Sequence, residues 1–226
     1  MAKETNKQQT VVNVEETLNK SEAFILKNKK MILGGIIAIV LIFAGSWAYN
    51  EFISTPRENA AAEALYKAEQ YFNADNYEQA LNGDSLGCMG FIAVADEYSG
   101  TDAGNLAKAY AGISLAQLKR YEEATSYLED FSGDDAMVAP AVLGALGNCY
   151  AQLGDNEKAA STLMKAAAEA DNNSLSPLYL MQAGEIYEAL GENKKALDAY
   201  NQVKNKYPRT MQAYDVDKYI ERATTK

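Results

Sequence analysis

The fold of this chain is indicated most clearly by the segment Gly147-Asn-Cys-Tyr150-Ala-Gln-Leu-Gly154-Asp-Asn-Glu-Lys-Ala159. Gly147 stands three positions before the large residue Tyr150, and Ala159 follows Gly147 after twelve residues. Two antiparallel helices can approach closely only where their contact carries little side chain, so this spacing predicts a helical hairpin that crosses at Gly147 and Ala159. Gly154 suits the left-handed backbone conformation that ends a helix and starts a turn.

The same pattern occurs four times after Pro56, so the chain contains an internal repeat. The residues expected to pack the repeats are the leading small residues Ala68, Gly112, Gly147 and Gly184, the large residues Tyr71, Leu115, Tyr150 and Tyr187, and the closing alanines Ala80, Ala124, Ala159 and Ala196. From one closing alanine to the next the spacing is 44, 35 and 37 residues. Larger residues on the second helices are expected to pack onto neighbouring pairs, namely Phe91, Leu128, Leu163 and Tyr200.

This pattern resembles the tetratricopeptide repeat, whose unit is a helix pair of about 34 residues. The last unit ends at Tyr207-Pro208, where that family has its closing proline. The resemblance implies an all-α solenoid of about four helix pairs. The first unit departs from the pattern, because residues 82–90 lengthen it and their three glycines predict a bulge or a break in its second helix. Residues 211–224 are amphipathic and are predicted to cap the solenoid.

A second element precedes the repeats, since residues 31–49 read MILGGIIAIVLIFAGSWAY without a charge. A helix of this length spans roughly 28 Å, close to the thickness of a bilayer core. Three lysines precede the segment, Lys27, Lys29 and Lys30, while Glu51 follows it. The positive-inside rule then places residues 1–30 in the cytoplasm and residues 51–226 across the membrane. A cleaved signal peptide is the alternative, but its apolar core is usually shorter and its leader rarely 30 residues long.

The predicted organisation therefore has four parts: a cytoplasmic tail (1–30), a transmembrane signal anchor (31–50), a linker or the start of the first helix (51–62), and the tetratricopeptide repeat domain (63–226). The tail interleaves apolar residues with charged ones between residues 11 and 26. Two interpretations stay open for it: a short amphipathic helix at the membrane surface and an unstructured tether.

Composition excludes several kinds of chemistry. The chain has no histidine, which removes Ser-His-Asp and Cys-His catalysis and histidine metal sites. Residues 51–226 carry a net charge of −12, which is a poor match for nucleic acid. Neither a GxxxxGK[ST] nor a GxGxxG phosphate-binding pattern occurs, and the acidic pairs lack the spacing of metal ligands. We expect no enzyme, no cofactor, no metal site and no small-molecule substrate.

The two cysteines leave one alternative open. Cys88 and Cys149 could pair if the domain lies in an oxidising compartment. Cys149, however, falls inside a first helix beside Tyr150, where a buried free thiol is the ordinary expectation.

The tetratricopeptide resemblance also implies a binding surface, because the first helices of such arrays line a concave groove. The residues that this projection places in the groove are Leu65, Glu69, Phe72, Ala109, Ile113, Ala116, Asn148, Ala151, Met181, Glu185 and Glu188. None of them is basic, so binding of a peptide carboxylate does not carry over. Small, apolar and acidic residues suit an apolar or basic segment of another protein. The alternative is that these side chains mainly pack against one another.

A short tail, one signal anchor and an exported acidic repeat domain together resemble YfgM-type proteins, the ancillary subunits of the bacterial SecYEG translocon. That resemblance implies an inner-membrane protein with a periplasmic domain, whose partners are translocon subunits, periplasmic chaperones and exported clients. A structural scaffold for another envelope or secretion complex has the same sequence requirements. A receptor facing the cytosol requires the opposite topology, against which the lysines before the anchor argue.

Overall fold

The computed structural model describes the backbone of residues 2–225 and the side chains of residues 22–225. In this part of the chain the regular structure is helical, apart from one isolated antiparallel bridge between Gly83 and Met89. The predicted all-α fold is therefore confirmed. Contacts divide the chain into two compact units, Met1–Pro56 and Arg57–Lys226.

The first unit consists of helix α1 (Ala2–Tyr49) and a π-helical turn (Asn50–Ser54). The helix containing the predicted anchor is long and apolar enough to cross a membrane by length and composition. Its apolar side chains are exposed, with Phe43 at 71%, as a helix that faces lipid requires. The backbone of the tail is helical from residue 2, which favours the interpretation as a helix over that as an unstructured tether. The predicted amphipathic face of this helix lies partly among residues whose side chains the structure does not describe.

Residues 55–225 form four helix pairs and a final helix; the first pair starts at Thr55, two residues before the second unit, and its second helix is broken in two. The pairs are α2 (Thr55–Asn73) with α3 (Tyr77–Asn82) and α4 (Phe91–Glu97), α5 (Asp102–Gln117) with α6 (Tyr121–Glu129), α7 (Val138–Gln152) with α8 (Asn156–Ala170), and α9 (Ser176–Ala189) with α10 (Asn193–Lys206). Helix α11 (Met211–Thr225) closes the array. The boundary at residues 62 and 63 stays a prediction; α2 begins before it.

The helix crossings explain why the leading residues are small. A Cβ atom on Gly147 would lie 2.8 Å from Cγ of Leu163, and one on Gly184 would lie 2.3 Å from Cε1 of Tyr200. Real Cβ atoms do not approach other heavy atoms this closely, so the large residue of the second helix occupies the space of the missing side chain. The closing alanines of all four repeats are fully buried, namely Ala80, Ala124, Ala159 and Ala196.

The turn between the two helices of each repeat uses one left-handed residue. It stands five positions before the closing alanine in every repeat and has φ values of 56°, 62°, 83° and 76° at Asp75, Lys119, Gly154 and Gly191. Only the last two are glycines. The first two repeats therefore adopt the same turn at a cost in backbone strain.

The insertion in the first repeat breaks its second helix into α3 and α4, as predicted. Asp84 organises the loop, because its carboxylate accepts hydrogen bonds from the backbone N–H groups of Leu86 (2.8 Å) and Cys88 (2.9 Å) and from the Tyr71 hydroxyl. Gly90 is required where the two ends meet, since a Cβ atom there would lie 2.2 Å from the carbonyl oxygen of Leu81. The insertion is thus an ordered loop.

Candidate protein-binding groove

An apolar recess of the repeat domain lies between the first helices of the second and third repeats. It is a pocket of about 230 Å³ between α5 and the start of α7. Its walls are lined by Leu106, Ala109, Tyr110, Ile113, Met137, Val138, Ala141 and Val142. We call this recess the α5–α7 pocket. None of its lining side chains carries a charge.

Helical spacing brings these side chains to one surface. On α5, Leu106, Tyr110 and Ile113 recur at intervals of four and three residues and therefore share one face. The ring of Tyr110 is held on its other side by Phe72, at 5.1 Å between centroids, and by Phe91, at 5.0 Å. This aromatic cluster joins the first two repeats and makes one wall of the pocket rigid.

The rim of the pocket carries an apolar contact and a negative charge. Met137 is 57% exposed and stands just before α7, so its flexible side chain is available to a partner. Asp135 accepts hydrogen bonds from the backbone N–H groups of Met137 and Val138, both at 2.8 Å. These bonds hold the pKa of the Asp135 carboxyl below its ordinary value, so the rim stays negative at neutral pH.

A second carboxylate lies beside the aromatic wall. Burial raises the pKa of Tyr110, and the neighbouring Glu69 raises it further. The phenol therefore stays protonated and neutral. The uncharged pocket therefore has the carboxylates of Asp135 and Glu69 near it.

The structure distributes the predicted groove residues among the α5–α7 pocket, the buried core, exposed positions and half-buried positions. Ala109 and Ile113 line the α5–α7 pocket, with Ala109 in its floor at 2% exposure. Leu65 is buried inside the core. Asn148 and Glu185 are exposed, and the remaining positions except Glu188 are half-buried, namely Glu69, Phe72, Ala116, Ala151 and Met181. Of the predicted groove residues, two line the α5–α7 pocket, and a shared groove along all the first helices stays a prediction.

Glu188 was predicted to line the groove, but the structure places it against the capping helix. Its side chain is buried, and its carboxylate accepts hydrogen bonds from Arg222 of α11, at 2.6 Å from Nη2, and from the Tyr200 hydroxyl, at 3.0 Å. Burial and this carboxylate raise the pKa of Tyr200. The residue is unavailable to a partner because the capping helix covers this end of the array. Glu188 instead attaches α11 to the last repeat.

Sequence reasoning missed six residues of the pocket: Leu106, Tyr110, Met137, Val138, Ala141 and Val142. A signal for Leu106 and Tyr110 was present, because they continue the face of Ile113 toward the start of α5. Met137 and Val138 carried no such signal. They precede the repeat pattern, and only the path of the chain into α7 places them opposite α5.

Two segments match the tetratricopeptide repeat. They are residues 140–173 and residues 179–210. The first match covers α7 and α8, and the second covers α9 and α10, so the third and fourth helix pairs have the sequence pattern as well as the shape of this repeat. No curated protein matches the chain. Repeats of this kind are typically protein-interaction modules, so the two matches indicate a protein-interaction role for the repeat domain.

The described residues contain no cluster of three or more carboxylates or thiols arranged for a metal ion. Cys88 and Cys149 are both free thiols in the structure. Burial raises the pKa of Cys149 to about 11, so this thiol is a packing residue and a poor nucleophile.

Proposed function

We propose that this protein is a membrane-anchored adaptor whose repeat domain binds other proteins through the α5–α7 pocket. One observation carries the proposal: an uncharged recess opens between the first helices of two repeats, with an exposed methionine at its rim. Such a recess gains affinity when an apolar side chain fills it. The acidic groups at its margin favour a partner segment with a lysine or arginine beside that apolar residue.

The finer proposal concerns the place and the partners. The anchor, with its lysines on one side and the acidic domain on the other, supports an inner-membrane protein with a cytoplasmic N-terminus and a periplasmic repeat domain. In that setting we propose as partners the protein translocon, periplasmic chaperones and their exported clients, as the resemblance to YfgM-type proteins implies. A structural scaffold for another envelope or secretion complex is the alternative.

Site-specific photo-crosslinking in native membranes separates these candidates. A photo-reactive residue at Asn148 or Met181 is expected to form adducts with translocon or chaperone subunits. Stoichiometric adducts with a different envelope complex would favour the scaffold. Adducts that contain neither kind of partner would overturn the adaptor.

The pocket itself is tested by a pair of matched variants. Ala141→Glu places a carboxylate in the α5–α7 pocket, whereas Ala168→Glu places the same group on the exposed face of α8. The first change is expected to abolish the adducts because burying an unpaired carboxylate is costly, and the second to leave them unchanged. Equal crosslinking in both variants would show that partners do not use the α5–α7 pocket.

A further inference from the structure

The chain leaves the predicted anchor through a turn of π-helix. Helix α1 ends at Tyr49, the π-helical turn follows as Asn50–Ser54, and the backbone N–H of Thr55 donates a hydrogen bond to the carbonyl oxygen of Asn50. This bond joins residues five positions apart, whereas the bonds of an α-helix join residues four positions apart. The turn therefore shifts the register in which side chains share a face of the helix.

The shifted register places two aromatic rings on one face. Trp47 and Phe52 are five residues apart, and their ring centroids lie 6.3 Å apart in an edge-to-face arrangement. In a regular α-helix two residues at this spacing point about 140° apart around the axis, on nearly opposite sides. The π-helical turn brings the two rings together, because one of its hydrogen-bonded turns spans five residues.

Four large side chains around this turn are exposed, at Trp47, Tyr49, Phe52 and Ile53. Phe52 is 70% exposed and Trp47 is 64% exposed, although their rings contact each other. A cluster of large exposed side chains marks a surface that contacts a membrane or another protein. We call these four residues the π-turn collar.

The length of the helix places the π-turn collar at the edge of a bilayer. Lys30 is the last charged residue before the apolar segment, and Trp47 and Ile53 follow it after 17 and 23 residues. At about 1.5 Å per residue these positions stand roughly 26 and 35 Å from Lys30, on either side of the roughly 30 Å thickness of a hydrocarbon core. With Lys30 at one boundary, the collar lies at the other.

The chemistry of the collar fits the lipid–water boundary better than the hydrocarbon core. The indole of Trp47 and the phenol of Tyr49 each carry a polar group on an apolar ring, and such side chains are enriched at membrane interfaces. Glu51 lies within the collar segment, is exposed, and is the one charged residue between Lys30 and Arg57. Because a carboxylate is unfavourable in hydrocarbon, Glu51 keeps the segment from sinking deeper.

We propose that the π-turn collar is a lipid-binding surface, which inserts into the headgroup–acyl boundary of the bilayer and fixes the depth of the anchor on the side opposite Lys30. The membrane contact of the chain then extends beyond the apolar run of residues 31–49, through the π-helical turn to Ile53. This inference rests on the membrane anchor of the proposed function, and it does not involve the α5–α7 pocket.

Trp47 is the only tryptophan of the chain, so its fluorescence reports on the collar. The full chain is reconstituted into phosphatidylcholine vesicles without a partner protein. Its fluorescence is quenched by lipids with a nitroxide near the headgroup, by lipids with a nitroxide at the chain end, and by acrylamide in the water. We expect the shallow nitroxide to quench most strongly. Strongest quenching by the deep nitroxide would overturn the collar and leave the anchor intact, whereas acrylamide quenching as strong as that of free tryptophan would overturn both.

An exchange of two neighbouring residues tests the face on which the collar depends. The double variant Glu51→Phe/Phe52→Glu keeps the composition and the net charge but moves the carboxylate against the ring of Trp47. We expect acrylamide quenching of Trp47 to rise by about twofold or more, because the carboxylate draws this face toward water. Phe52→Leu keeps an apolar side chain and, as the matched control, should leave the quenching unchanged. Equal quenching in the exchanged and the original protein would refute the shared face.

A photo-reactive residue in place of Phe52 separates lipid from protein as the occupant in native membranes. We expect adducts with phospholipid, which mass spectrometry detects as small additions to the mass of the chain. A stoichiometric protein adduct at this position would assign the face to a protein partner and overturn the lipid assignment. Crosslinks from Asn148 and Met181 test the adaptor function separately, so the two proposals can fail independently.

Discussion

Replacing Gly184 by alanine tests the close helix crossing that builds each repeat. In an open helix this change would stabilise the chain by about 0.8–1.0 kcal/mol, because glycine is the poorer helix former. Here the new Cβ atom would stand 2.3 Å from Cε1 of Tyr200, so the ring must move by about an ångström to reach ordinary contact. The ring is fully buried, and its hydroxyl is bound to Glu188 at 3.0 Å.

The steric cost therefore exceeds the gain in helix propensity. Overpacking a core costs about 1–3 kcal/mol. Weakening the hydrogen bond from Tyr200 to the carboxylate of Glu188 costs about 1.5–3 kcal/mol when the bond is lost. We expect Gly184→Ala to lower the free energy of unfolding by about 2 kcal/mol. In a domain of this size that corresponds to a fall in melting temperature of about 4–8 °C.

Thermal unfolding of the full chain in detergent, followed by circular dichroism, measures this effect. Tyr200→Phe serves as the background control, because it removes the hydrogen bond while keeping the ring. In that background Gly184→Ala should cost about 1 kcal/mol less, since the ring can shift without breaking the bond. A Gly184→Ala protein at least as stable as the original would refute the reasoning, because it would mean that the crossing tolerates a methyl group.

Three further predictions concern the turns, the cap and the thiols. Lys119→Gly should raise the free energy of unfolding by about 0.5 kcal/mol, because relief of the left-handed strain at φ 62° exceeds the added entropy of the unfolded chain. Gly154→Ala should lower the free energy of unfolding by about 1 kcal/mol, and denaturant midpoints that move the other way would contradict the shared turn. Arg222→Ala should lower the free energy of unfolding by about 2 kcal/mol, because it removes the cation that is bound to the buried carboxylate of Glu188. Lys204→Ala, in the exposed pair with Asp217, should lower it by less than about 1 kcal/mol, and equal losses in thermal melts would contradict the difference between the buried and the exposed pair. Cys149, with a pKa of about 11, should react with a maleimide more slowly than Cys88 at pH 8, and its reaction rate should rise about tenfold per pH unit as the thiolate forms. Equal rates for the two thiols in the folded protein, measured by mass spectrometry, would contradict the burial of Cys149.

The repeat was readable from the sequence because its physical requirement is local and recurs. A glycine or alanine must precede a large residue by three positions, and an alanine must follow at the crossing, as at Gly147, Tyr150 and Ala159. The break in the first repeat was also predictable, since glycine is the residue that most readily ends a helix. The apolar run of the predicted anchor is a property of composition alone, and its recognition needed no tertiary information.

The binding surfaces depended on information that no single segment carries. Glu188 looked like a groove residue because its position on α9 is right, but only the return of α11 shows that Arg222 covers it. The left-handed turns at Asp75 and Lys119 were not predicted, because neither residue is glycine. Tertiary packing makes those residues adopt a conformation that they would not choose locally.

Periodicity and composition specify local structure, so they were enough to predict the helix pairs, their number, the capping helix and the apolar segment before them. Which helix faces stay open depends on tertiary packing. The α5–α7 pocket forms because Met137 and Val138 are carried opposite α5 by the chain entering α7. A cavity of about 400 Å³ lies beyond the end of α6, because α6 stops at Glu129 while its counterparts α8 and α10 are longer. Both spaces depend on how helices that are far apart in sequence pack together, and the residue pattern within one helix does not show this.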